Sequence, residues 1–317
     1  MALEFPPPRW AVPGILAEGV SLLAGPPKVG KSWLTLGLAL TIAAGGQALG
    51  AIDVAPGPVL YLALEDTPRR LQTRMRKLLQ GRPAPAGLTL ATTCPTLPEG
   101  GEQQIAAWLD RHLDARMVVL DVFAKIRGPS SHGASAYDAD YTAVGRAKRL
   151  ADTYGVAVVL VHHVRKAAAD DFLAEVSGTN GLAGAADATL VLKRSRGTAD
   201  GQLHITGRDV DEDELALAFD PPTGHWQLLP GPAGDHGVSE PRAAVLRWLR
   251  EHGPAATRAV ADGTGLAYEN VKKTLQRMAD AGQLTTDGSG LYALPHHDAR
   301  DDAPPAVPAV PAVPEPL

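Results

Sequence analysis

Three stretches of the sequence place chemically capable side chains at the ends of apolar runs. The first, "LLAGPPKVGKSWLTLGLAL", holds Gly25, Gly30, Lys31 and Ser32 in the spacing GxxxxGK[ST], with Pro26, Pro27, Lys28 and Val29 between the glycines. Such a loop turns backbone N–H groups toward phosphate oxygens, and a helix starting behind it presents its N-terminal dipole to the same charge. The ammonium of Lys31 can then reach β and γ phosphates, while the hydroxyl of Ser32 can ligate Mg²⁺. The motif needs a strand before it and a helix after it. "VSLLA" and "WLTLGLAL" supply both, which a turn followed by an exposed lysine would not require.

A phosphate loop of this kind needs one acid to hold the metal's water shell and another to activate the attacking water. "RMVVLD" ends an apolar run in Asp121, and "VLYLALED" ends another in Glu65 and Asp66. An acid at a strand end can equally cap the next helix, and Glu65 before "DTPRRLQ" is open to that reading. In a parallel sheet, however, ligands collect at the carboxyl ends of the strands, where all of these groups would face one nucleotide. Asp121 is therefore expected to hold the metal shell, with Glu65 as general base.

The third stretch is "VHHVRK", residues 161–166, at the end of "GVAVVLV". Two histidines and two cations could form a metal site, a base with its helper or a nucleic-acid contact. On a strand His162 and His163 point to opposite faces, which suits a shared metal poorly. Cys94 is the only cysteine, so neither an intramolecular disulfide nor a cysteine-based zinc site is available, as in a reducing compartment.

These groups need elements to position them. Apolar runs begin near Val20, Pro58, Leu88, Met117 and Val156, separated by stretches long enough for crossovers, as in a parallel sheet buried on both faces. Later runs near Ala188, Leu203 and Glu214 lie closer together, with "RGTADGQ" and "DPPTGHW" as turns, and read as antiparallel additions at the sheet edge. The expectation is an α/β fold over residues 1–230, with a mostly parallel central sheet.

Residues 231–238, rich in Gly and Pro, read as a linker. Residues 239–295 read as three helices and a Gly-turned hairpin, the plan of a winged helix, with Gly282 stopping the third helix. In "AYENVKKTLQRMADAG" the residues Val271, Leu275 and Met278 should face a core, leaving Lys272, Lys273 and Arg277 outward as on a recognition helix, or as a solvated face. The Pro/Ala-rich residues 296–317 cannot build a core and are expected to be disordered.

With 45% hydrophobic and 21% charged residues the composition is that of a globular protein. The net charge of −5 excludes a global basic field, so nucleic-acid contact must come from local patches. No stretch of about 18 consecutive apolar residues suggests a membrane span, and the N-terminus lacks a signal pattern, so a cytoplasmic protein is expected.

"LLAGPPKVGKSWLTLGLAL", "VLYLALEDTPRRLQTRMRKL", "MVVLDVF" and "VHHVRK", with "PPPRWAVPGIL" ahead of them, closely resemble RecA-like ATPases of the RepA-type helicase group, the AAA_25 kind found in plasmids, phages and integrated elements. The resemblance covers roughly residues 5 to 229. It implies ATP and Mg²⁺ as cofactors, Glu65 as the catalytic glutamate, Asp121 as the Walker B aspartate and His163 as a γ-phosphate sensor. It also implies a homo-oligomer, a ring hexamer with nucleotide sites between subunits, acting on single-stranded DNA. Arg208 occupies a position resembling the family's trans arginine finger, with Lys193, Arg194 and Arg196 as other choices and pairing with Asp209 or Asp211 as the local alternative. Channel-lining DNA contacts would fall near Lys166 and near Lys125 and Arg127, although Asp170, Asp171 and Glu175 weaken the first. Duplex DNA would be met through the winged helix.

The sequence thus leads to an ATP-hydrolysing RecA-like motor, a replicative helicase of a mobile element. Two other classes compete: a RadA- or KaiC-like ATPase that does not unwind duplex, and an ATP-controlled winged-helix DNA-binding regulator.

Overall fold

The computed structural model describes residues 7–128, 136–164, 180–194, 200–231, 240–280, 284–286 and 290–294. The chain divides into two compact units, residues 1–237 and 238–317.

The first unit opens with a small hairpin, β1 (Trp10–Val12) and β2 (Leu16–Ala17), followed by β3 (Gly19–Gly25) and α1 (Lys31–Ala44). A second hairpin, β4 (Gly46–Ala48) and β5 (Ile52–Val54), leads to β6 (Val59–Ala63), α2 (Pro68–Leu79) and β7 (Leu88–Ala91). Then come α3 (Gly101–Leu109), β8 (Met117–Asp121), the one-turn α4 (Phe123–Ile126), α5 (Ala136–Tyr154), β9 (Ala157–His163) and α6 (Asn180–Ala185). The unit closes with β10 (Ala188–Arg194), β11 (Asp200–Gly207), β12 (Asp213–Asp220) and β13 (His225–Leu228).

Nine of these strands form one sheet in the order β13-β12-β11-β10-β3-β9-β8-β6-β7. Strands β10, β3, β9, β8, β6 and β7 are parallel, and β11 to β13 continue the edge as an antiparallel meander. The fold is the expected mixed α/β sheet, with one difference of detail. The Ala188 run is not part of the antiparallel edge; it pairs parallel with β3, and the reversal begins one strand later. Its closeness in sequence to β11 reflects a hairpin at its far end, while α6 makes the crossover before it.

Strand parity decides which groups can meet. Met117, Val119, Ala157, Val159, Val161, Val59 and Tyr61 join the core shared with α1 and α2. Val118, Leu120, Val158, Leu160, Leu60 and Leu62 join the opposite core, shared with α3 and α5. The sheet is therefore buried on both faces, which is why its strands read as unbroken apolar runs. Each such side chain contributes roughly 1.5–3 kcal/mol relative to exposure, enough for a charge at Val159 or Leu160 to break the layer. Asp121 follows Val119 in parity and His163 follows Val161, so both belong to the α1 face.

The second unit contains α7 (Glu240–His252), β14 (Ala255–Ala256), α8 (Thr257–Thr264), α9 (Tyr268–Asp280), β15 (Thr285–Thr286) and β16 (Leu291–Ala293). The strands form an antiparallel sheet in the order β14-β16-β15. Val245, Leu249, Val260, Val271, Leu275 and Met278 make its core, and Lys272, Lys273 and Arg277 are exposed on the other side of α9. Gly282, most of the linker and the tail at 296–317 lie outside the described residues. Among the described residues no helix is long and apolar enough to cross a membrane.

Candidate active site

The loop between β3 and α1 carries residues 26–30, and Gly30 forms the N-cap of α1 with φ +113°, a conformation open to glycine. A side chain at Gly30 would also meet the Trp226 ring at 2.8 Å, and the indole Nε1 of Trp226 donates to the Gly30 carbonyl at 3.2 Å. At Gly25 a Cβ would lie 2.5 Å from the Leu192 carbonyl oxygen of the neighbouring β10. Both glycines are thus required by close packing of the loop against the meander side of the sheet.

Lys31 is buried, at 3% exposure. Its three N–H donors have three acceptors: the carbonyls of Gly25 at 2.6 Å and Pro26 at 3.1 Å, and Nδ1 of His163 at 3.0 Å. Burial lowers its pKa to about 8, against the opposing attraction of Asp121 and Glu65. The other ring nitrogen of His163, Nε2, lies 3.3 Å from Oε2 of Glu65. His163 therefore bridges Lys31 and Glu65, and the pairing of Gly25 with His163 across β3 and β9 explains why it can.

Neither acid is a helix cap. The N-cap of α2 is Thr67, whose hydroxyl accepts from the Arg70 N–H at 3.3 Å, with Pro68 opening the helix. Asp121 instead receives the hydroxyl of Tyr61 at 2.6 Å on Oδ2, and it is hydrogen-bonded to Ser32 as well. Burial raises the Asp121 pKa; the bonds from Tyr61 and Ser32 oppose that rise, Asp66 adds to it and Arg74 counters it. A polar cavity of about 390 Å³ is lined by Ser32, Glu65, Asp66, Asp121, Arg70, Arg74 and Lys125. A second cavity, of about 320 Å³, runs along α1 past Trp33, Arg82 and Trp226; no carboxylate lines it, so it lacks the groups for hydrolysis.

One hydroxyl and one carboxylate facing a wet cavity are the hard oxygen donors of an ion that keeps most of its waters, which fits Mg²⁺. Among the described residues no group of three or more His, Cys, Asp or Glu side chains is arranged to hold a metal. His162 lies on the α5 side of β9, where burial lowers its pKa and its Nδ1 has no hydrogen-bond partner among the described residues.

Other candidates are placed differently. Lys125 sits on α4 and lines the polar cavity, and the guanidinium of Arg127 pairs with the buried Asp140. Arg208 meets Asp187 at 3.4 Å, not Asp209 or Asp211; Asp187 also holds Lys148 and the Val20 N–H, each at 2.9 Å. Gly207 pairs with Ala188, which is level with Ser21 of β3, so Arg208 lies beyond the sheet end opposite the phosphate loop. From Ser21 to Gly25 alone is about 13 Å along the strand. Lys193 and Arg194 end β10 on the loop side, and the Arg194 guanidinium stacks over Phe219 at 4.8 Å. Arg196 and Lys166 lie outside the described residues.

Three participants were not read from sequence. Tyr61 and Trp226 are nearly buried and carry a polar atom that must find a partner, the one signal available in advance. Arg74 pairs with Asp66 and stacks over Trp33 at 5.6 Å, which ties α2 to the start of α1.

Comparison with known proteins agrees with this arrangement. The AAA_25 family, described as an AAA domain, matches residues 1–169, more than half of the chain. The chain belongs to the AAA_25 family. A second family, DNA glycosylase AlkZ-like, matches residues 145–313, so the C-terminal unit of this AAA_25 protein is AlkZ-like. Among solved structures, an isolated ATPase domain is similar at TM-score 0.54 and 14% identity, over 67% of this chain and 85% of that one. A DnaB-like replicative helicase, solved in a study of its interactions with primase, is similar at TM-score 0.54 and 14% identity, over 66% of this chain and 58% of the helicase chain. These likenesses establish that the AAA_25 unit has the fold of RecA-like ATPase domains of DnaB-like helicases.

Proposed function

We propose that this AAA_25 protein is an ATP-hydrolysing RecA-like motor that works as a ring-shaped homo-oligomer, a hexamer, on single-stranded DNA, in the manner of the RepA-type replicative helicases of mobile elements. The observation that carries this reading is that His163 joins Lys31 of the phosphate loop to Glu65, while Glu65, Asp121 and Ser32 line one polar cavity. Gly25, Gly30 and Lys31 would hold the phosphates of ATP. Ser32 and Asp121 would hold Mg²⁺, which neutralises phosphate charge when bound. Glu65 orients and deprotonates the attacking water, and His163 links that glutamate to Lys31 and so to the phosphate state. Arg70, Arg74 and Lys125 add cations to the lining of the same cavity.

The helix, strand and hairpin order of the C-terminal unit supports a winged helix, and the likeness to a family of DNA glycosylases supports duplex DNA as its ligand. Lys272, Lys273 and Arg277 are its candidate phosphate contacts. A second reading, an ATP-controlled DNA-binding regulator, is favoured by this unit having a hydrophobic core of its own.

ATP-driven displacement of a strand from a forked duplex, with the full chain and with a chain ending at residue 237, separates the readings. A helicase opens the fork only while ATP turns over. An intact fork beside steady turnover overturns the helicase and points to a RadA- or KaiC-like ATPase. Loss of specific duplex binding on truncation, with turnover and fork unchanged, favours the regulator.

A further inference from the structure

Tyr61 is 1% exposed in the middle of an otherwise aliphatic strand, where a phenylalanine would fill the same space without a polar atom to satisfy. A hydroxyl buried there without a partner would be strongly unfavourable. The register of β6 and β8 places Ala63 beside Asp121 and Tyr61 beside Val119, so the phenol lies one pair back from the carboxylate on the same face. Its oxygen is 2.6 Å from Oδ2 of Asp121 and 3.0 Å from Oγ1 of Thr35, itself 1% exposed and one turn beyond Lys31 on α1.

Counting protons gives this chain a direction. An ionised Asp121 only accepts, so the single proton of Tyr61 goes to Oδ2. The Thr35 hydroxyl, whose single proton also has the Lys31 carbonyl within reach at 3.1 Å, contacts the Tyr61 oxygen from the other side, and Ser32 of the same helix turn also meets Asp121. The carboxylate is thereby tied from two sides to the first turn of the helix that follows the phosphate loop.

We infer that Tyr61, supported by Thr35, is a positioning residue for Asp121: it commits one carboxylate oxygen inward so that the rest of the group faces Ser32 and the Mg²⁺ water shell in one orientation. The inference rests on the nucleotide reading proposed above. Mg²⁺ demands near-ideal octahedral geometry, so freedom of an outer ligand weakens the ion more than it weakens the nucleotide. Partners that orient metal ligands typically affect metal affinity by about 10- to 100-fold.

The test is Tyr61→Phe in the full chain, read by titrating a fluorescent ATP analogue with and without Mg²⁺, with thermal unfolding alongside. Affinity for the Mg²⁺-free nucleotide should stay within about twofold, whereas the Mg²⁺ concentration for half-saturation should rise by about tenfold or more. Thr35→Val should move the Mg²⁺ requirement in the same direction by a smaller factor, and Thr35→Ser should restore it; this pair keeps the inference testable if Tyr61→Phe does not fold. An unchanged Mg²⁺ requirement in Tyr61→Phe or Thr35→Val, with only the melting temperature lowered, makes Tyr61 a packing residue and overturns the inference alone. A wild-type chain that binds no nucleotide overturns the functional reading and this inference together.

Discussion

The Nδ1 of His163 lies 3.0 Å from the Nζ of Lys31, joining two residues 132 positions apart in the chain. Because Lys31 donates, that nitrogen accepts, and the ring proton stands on Nε2 toward Glu65. One imidazole therefore contacts both the proposed phosphate-binding cation and the proposed water-activating carboxylate. His163→Ala should leave nucleotide affinity within about tenfold but lower turnover on the order of 10²-fold, the scale of losing one preorganised polar contact. It should also abolish stimulation by single-stranded DNA. Steady-state hydrolysis with and without DNA measures both, and full stimulation in the variant would remove His163 from the coupling path.

Glu65 is free of capping duty, since Thr67 caps α2. Glu65→Gln keeps the shape and the contact with His163 but loses the base. The variant should bind ATP about as well as wild type and hydrolyse it on the order of 10²- to 10⁴-fold more slowly. Equilibrium binding beside single-turnover hydrolysis checks this, and a parallel loss of binding would give Glu65 a structural role.

Lys31 makes the site sensitive to alkali. Its pKa, lowered by burial from the ordinary 10.5 to about 8, means that the folded chain loses this proton before the unfolded chain does. Between about 8 and 10.5 the unfolded state binds more protons, so this residue makes stability rise with pH across that window. Nucleotide affinity moves the other way. Above pH 8 binding must return the proton to Lys31, and affinity should fall, approaching about tenfold per pH unit. Titrations of nucleotide binding from about pH 7 to 9.5 should show this bend, which Lys31→Ala abolishes together with tight binding; a flat profile would place the Lys31 pKa higher.

Arg208 forms an exposed pair with Asp187 at the sheet end remote from the phosphate loop. Arg208→Ala should change unfolding free energy by no more than about 1 kcal/mol and leave ATP turnover near wild type. Thermal unfolding and steady-state hydrolysis are the measurements. Lost turnover that is rescued in mixed rings, by a subunit with Arg208 intact but Lys31 replaced, would instead establish a trans finger.

Much of the sheet was legible because strands buried on both faces write themselves as unbroken apolar runs, as in "MVVLD" and "AVVLVH". The edge strand His225–Leu228 alternates in burial and is short, so it carries no such signature. The Ala188 run pairs parallel with β3 rather than joining the antiparallel edge, because closeness in sequence does not distinguish a parallel neighbour reached by α6 from a hairpin partner. Asp121, Glu65 and His163 could be singled out because each ends an apolar run, where a parallel sheet gathers its chemistry. The surroundings of Lys125 and Arg127 are not legible in the sequence, since the cavity that Lys125 lines is built from several segments and Arg127 pairs with Asp140 on the next helix.

The sequence by itself determined the phosphate-loop motif, the acids that end its apolar runs and the α/β character of the sheet. Those features are local: a glycine spacing, an apolar run and the residue that ends it. Only the tertiary structure decided that His163 bridges Lys31 to Glu65, that Trp226 holds Gly30 from 196 residues away, and that Tyr61 fixes Asp121. Hydrogen bonds form between neighbours in space, and strand order and register, not chain order, make these residues neighbours.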